Sequence, residues 1–145
     1  MKELEAKIAG SRRARFGSGV PEEVIEEAEA TLGVRFPDSY RWWLKRHGSG
    51  YLGSYELQGL APIRPSERDP VELYVGDVVC TTQINRKHGA PMHLLELLDH
   101  EGDEVYFLDL LGTAGGEAPV VVRRPGSDVL EAVAPSFAAF LEREL

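Results

Sequence analysis

Gly48, Gly50 and Gly53 stand in the spacing G-x-G-x-x-G, by which a loop can cradle the pyrophosphate of a dinucleotide. That chemistry requires a strand before the glycines and a helix after them, so that the phosphates meet the positive end of the helix. Here the glycines follow a helical run, and they are expected to end that helix and permit a turn. The four histidines, His47, His88, His93 and His100, have neither the i, i+4 spacing nor the cysteine partners of common zinc sites. They are expected as surface or packed side chains, with no metal. Cys80 is the single cysteine. Nothing beside it favours the nucleophilic thiolate, so it reads as a small core hydrophobe. No nucleophile and base can be assembled from these residues, so the chain is expected not to be an enzyme and to need no cofactor.

The remaining chemistry is that of carboxylates. Glu22, Glu23, Glu26, Glu27 and Glu29 crowd one helical stretch, and Asp99, Glu101, Asp103 and Glu104 crowd one turn. The turn does not have the ligand spacing of an EF-hand loop. Two readings stay open for each cluster: a solvated helix face or a hairpin turn on one side, and a surface presented to a protein partner on the other. Trp42, Tyr51 and Tyr55 are candidates for the apolar anchors that dominate interface centres. Against 24 acidic residues stand 16 basic ones, a formal net charge of −8. A polyanion would be repelled, which argues against direct nucleic-acid binding, whereas a basic protein would be attracted. Arg12, Arg13 and Arg15 form the densest basic cluster and read as a solvated loop.

The elements that must position these groups follow from periodicity. Leu4 and Ile8 suit a short helix over residues 1–9, and residues 10–19 read as a loop. Residues 21–32 form an amphipathic helix with Val24 or Ile25, Ala28 and Leu32 inward. Pro21 suits its first position and Gly33 a left-handed cap. Residues 37–47 form a second helix with Tyr40, Trp43, Leu44 and His47 on one face, so that Trp42 falls to its flank. A short strand is expected over residues 55–58, an irregular surface connection over 62–70, and a helix capped by Asp77 over 78–87, with Val79, Gln83 and Arg86 along one side. Two apolar runs, 93–98 and 104–109, surround a polar turn and predict a hairpin. The valines of 119–124 predict a third strand, and Ser136 caps a final helix that turns Phe137, Phe140, Leu141 and Leu145 one way.

Segregated helices and hairpin-linked strands predict an α+β fold, with a central, largely antiparallel sheet flanked by helices. At 145 residues, 43% hydrophobic and 28% charged, one domain over residues 1–145 is expected, able to bury a core without disulfide or metal staples. No run reaches the roughly 18 apolar residues of a membrane span. The lone cysteine and a charged N-terminus lacking an apolar signal core predict a cytoplasmic protein.

From residue 21 onward the order of segments resembles the SUKH superfamily, whose yeast members are Knr-type cell-wall-synthesis regulators. The resemblance is carried by the glutamate-rich helix, Leu32-Gly33-Val34-Arg35-Phe36-Pro37-Asp38-Ser39-Tyr40, Trp43-Leu44, the glycine run 48–53 and Tyr55-Glu56-Leu57-Gln58-Gly59-Leu60. It continues through Asp103-Glu104-Val105-Tyr106-Phe107-Leu108-Asp109, the valine strand and the closing helix. Where many relatives have asparagine before the helix-ending glycine, this chain has His47-Gly48. The resemblance implies a SUKH-like domain over about residues 21–145 and, in bacteria, an immunity protein that neutralises a cognate polymorphic toxin, often a nuclease. On that implication the partner is a basic toxin domain, blocked sterically and electrostatically. Glu22, Glu26, Trp42, Tyr51, Tyr55, Asp99, Glu101, Asp103 and Glu104 are the candidate contact residues. The alternative is a regulatory or scaffold module of the cell-wall-regulator type.

Overall fold

The apolar stripes become helices. In the computed structural model, which describes residues 1–100 and 103–145, α1 (Lys2–Gly10) buries Leu4 and Ile8. Helix α2 (Glu22–Leu32) buries Val24, Ile25, Ala28 and Leu32, and Gly33 closes it at φ 68°, where a side chain would be strained. Helix α3 (Asp38–Arg46) buries Tyr40, Trp43 and Leu44. Pro21 and Pro37 each sit one position before their helix, not inside it. Helix α4 (Val78–Lys87) begins where the Asp77 carboxylate accepts from the Val79 and Cys80 amides. Its inward face is Val78, Val79 and Thr82, and Cys80 is half-buried instead of a core residue. Helix α5 (Phe137–Glu144) is capped by Ser136, whose hydroxyl accepts from the Ala139 amide.

Two antiparallel sheets lie among these helices, so the fold is α+β. Three short strands, β1 (Ala14–Phe16), β2 (Gly50–Leu52) and β3 (Tyr55–Leu57), form one sheet in chain order. Four, β4 (Leu94–Asp99), β5 (Val105–Asp109), β6 (Val120–Arg123) and β7 (Leu130–Ala134), form a meander. The Gln58 amide donates to the Leu97 carbonyl at 2.8 Å and joins the two.

Three strands correct the expectations. β1 lies in the segment read as a loop, β2 in the glycine run read as a turn, and β7 in a stretch with no strand signal. Each is short, and β1 and β2 owe their extended form to pairing: Arg15 stands opposite Tyr51, and Tyr51 opposite Glu56. Gly50 pairs with Phe16 at φ 143°, and a Cβ there would meet the Arg15 carbonyl oxygen at 2.4 Å. The glycines thus build a tight sheet corner, not a phosphate loop.

The core is centred on rings. Tyr40 packs edge-on against Phe36 and Phe137, Trp43 leans on Tyr40 and Phe137, and Phe16 of β1 meets Trp43 edge-on at 5.3 Å. Such pairs add about 0.5–1.5 kcal/mol each beyond the area they bury, and they fix α3 against α5 and β1.

Candidate protein-interaction surface

The β2–β3 hairpin delivers two of the sequence candidates to the surface. Tyr51 points outward at 42% exposure, with the Arg15 guanidinium 5.2 Å above its ring. Arg15 also donates to the Gly53 carbonyl, and the neighbouring Arg13 donates to the carbonyl of Glu144 at the end of α5. Tyr55 leaves the opposite face of the hairpin and stacks on His100, with centroids 4.0 Å apart and planes 28° from parallel. His100 in turn contacts Tyr106, which leans on Phe140 of α5. A line of rings therefore runs from the β2–β3 hairpin, across the end of the β4–β5 hairpin, into the core.

Charge adjoins this line at the β4–β5 end. His100 Nδ1 lies 3.7 Å from Glu104 Oε1. The Glu104 carboxylate also receives the Arg124 guanidinium, whose Nε donates to Glu131 at 3.2 Å. Hydrogen bonding to Glu131 and the nearby charge of Glu104 raise the Arg124 pKa, so its cation is secure. Asp99 closes β4 and is exposed, Asp103 is exposed beside it, and Glu101 lies outside the described residues. The structure thus brings Tyr55, Asp99, Asp103 and Glu104 to one end of the molecule, while Tyr51 leaves the other face of the β2–β3 hairpin. Rings centred among charged and polar groups have the composition of an interface core and rim.

Glu22, Glu26 and Trp42 belong elsewhere, on the α2–α3 pair. Glu22 accepts from Arg41 at 2.6 Å and lies 3.4 Å from Lys45, and the Arg41 hydrogen bond lowers its pKa. Glu29 takes the other side of Arg41 and also accepts from the Phe36 amide. Glu27 accepts from the Ser66 amide and from Arg64, which hold its pKa down to about 2. The acidic row is therefore largely spent in joining α2 to α3 and to the segment around Ser66. Glu23, Glu26 and Asp103 carry no ion pair among the described residues. Trp42 is half-buried, edge-on to His47 at 6.0 Å.

Sequence reasoning passed over a polar hub. The Asp77 carboxylate, 1% exposed, accepts from the Ala61, Val79 and Cys80 amides and receives both terminal nitrogens of Arg68 at 2.8 and 2.6 Å. The legible signal was the helix cap alone, because Arg68 lies in the connection read as irregular. Among the described residues no group of three or more His, Cys, Asp or Glu is placed to hold a metal ion. Nor is any helix among them long and apolar enough to cross a membrane.

The family model SUKH_6, described as SMI1-KNR4 cell-wall, matches residues 22–141, from the first residue of α2 to Leu141 in α5. The chain belongs to this family. No curated protein matches it. The family supports a toxin-immunity role or a protein-interaction role of the SMI1-KNR4 kind.

Proposed function

We propose that this SUKH-family chain is a non-enzymatic, cytoplasmic immunity protein, one domain over residues 1–145, that binds and neutralises a basic, nuclease-type toxin. The observation that supports the reading best is a pair of rings on the β2–β3 hairpin, Tyr51 exposed on one face and Tyr55 stacked on His100 on the other. A ring already immobilised by packing loses little freedom on binding, and such side chains dominate binding energy at interfaces. The net charge of −8 would draw a basic enzyme toward the chain, and the contact itself would close the enzyme's channel. The turn carboxylates Asp99, Asp103 and Glu104 stand around His100, and the fourth candidate, Glu101, lies outside the described residues. Glu22, Glu26 and Trp42 would form an outlying contact at most, since Glu22 already serves Arg41.

The description of the family as cell-wall favours a second reading, a scaffold module for an endogenous partner. Genetic context separates the two: a toxin gene next door favours immunity, a solitary gene the module. Co-expression with the neighbouring toxin gene should restore growth. Tyr51→Ala with Tyr55→Ala should weaken the complex about 30-fold or more, the effect of losing a central anchor. Failure to bind or protect against any neighbouring toxin contradicts the immunity reading.

A further inference from the structure

Residues 68–77 connect a short 3-10 turn (Pro65–Glu67) to α4 without a helix or strand of their own, yet they are held at both ends. Arg68, 8% exposed at its side chain, is clamped by Asp77, and its guanidinium lies 4.8 Å from the centre of the Tyr74 ring. At the far end the Gly76 carbonyl accepts from the Gly59 amide. Between these fastenings Val71, Leu73 and Val75 stand 89%, 62% and 78% exposed at alternate positions. The amides of Leu73, Tyr74 and Val75 donate no hydrogen bond among the described residues. A strap pinned by a buried ion pair while presenting three aliphatic side chains and free amides to water is the form of an interaction segment.

The charge of the strap says what fits it. Asp69 and Glu72 flank the aliphatics, Glu67 is paired with Arg64, and the one cation among residues 67–77, Arg68, is neutralised by Asp77. Beneath the strap a cleft of about 370 Å3 is lined by Asp69, Glu72 and Cys80, with Glu27, already bound to Arg64, and Arg68, bound to Asp77. The strap also adjoins the outward row of the three-stranded sheet. Glu56, opposite Tyr51, lies so close to Gly76 that a Cβ there would come within 2.5 Å of its carboxylate carbon.

We propose that the strap is a second docking surface, and that it takes a basic segment of a partner protein in which apolar residues alternate with lysine or arginine. Val71, Leu73 and Val75 would meet the apolar side chains, and Asp69 and Glu72 the cations. This surface does not depend on the hairpin surface or on the immunity reading.

The test uses the full chain, labelled with nitrogen-15, and a synthetic peptide of sequence Lys-Leu-Lys-Val-Lys-Leu-Lys. The expected result is amide shift changes confined to Val71, Glu72, Leu73, Tyr74, Val75 and the Cys80 side of the cleft. Binding should weaken about tenfold or more in Leu73→Ser/Val75→Ser and in Glu72→Lys, each with an unchanged melting temperature because these side chains are exposed. Tyr51→Ala should leave the peptide affinity unaltered, which separates this proposal from the hairpin reading. Equal binding of the peptide with glutamate in place of lysine would overturn it, as would shifts elsewhere or none. So would a dimer of the chain, seen by light scattering and lost in Leu73→Ser/Val75→Ser, because the strap would then be a self-contact.

Discussion

Asp77 shows how one carboxylate organises a region. It caps α4, holds the Ala61 amide and neutralises Arg68, all while buried. Removing one partner of a buried ion pair leaves the other charge without compensation, at a cost of about 3–5 kcal/mol. Asp77→Ala should lose that much in urea unfolding, and a loss below about 1 kcal/mol would show that Arg68 finds water instead. His47 sets a second residue-scale test. Burial lowers its pKa from 6.5, partly offset by Glu5 at 3.4 Å and the Gly17 backbone, and reinforced by Arg46. The unfolded chain therefore binds the proton first, and stability is lost as pH falls from about 6.5 through the lower folded value. His47→Gln should flatten the stability profile in that window, and an unchanged slope would contradict the assignment.

At the scale of elements, local signals account for what was legible. Helices α2 and α3 followed from apolar spacing, α4 and α5 from Asp77 and Ser136 as caps, and the β4–β5 hairpin from two apolar runs around a polar turn. β1 and β2 were hidden because three residues carry no period, and their pairing is decided by Gly50 passing against Arg15 and Phe16. Gly50→Ala should cost about 1–3 kcal/mol from backbone strain alone and should speed hydrogen exchange of the Gly17 amide, which donates to Ser49 across that corner. An unchanged melting temperature would mean that the corner relaxes freely. The candidate surface was legible only in part. Tyr51, Tyr55 and the turn carboxylates could be named one by one, but the stacking of Tyr55 on His100 joins two sheets and has no local signature. The strap went unread because its anchoring depends on Arg68 reaching Asp77.

For the whole molecule, the excess of carboxylates divides into two populations. Glu22, Glu27 and Glu29 of α2 bind arginines: Glu27 has its pKa lowered to about 2 by Ser66 and Arg64, and Glu22 has its own lowered by Arg41. A carboxylate with a lowered folded pKa contributes stability that is present above its unfolded value and lost as pH falls through the folded one. Acidification from about pH 4.5 toward 2 should therefore weaken the fold, and Glu27→Gln should reduce the slope of that loss. Glu96 acts the other way, since burial raises its pKa and protonation relieves the cost. The second population, including Asp69, Glu72 and Asp103, lies with the exposed aliphatic and aromatic side chains that would meet a partner. The most direct test of the proposed function is calorimetric titration of the full chain with the product of a toxin gene found adjacent to its own, in parallel with Tyr51→Ala/Tyr55→Ala. Tight binding that weakens with salt and drops about 30-fold or more in the double variant is the expected result. No binding, or equal affinity of the variant, would contradict a partner surface built on the paired hairpins.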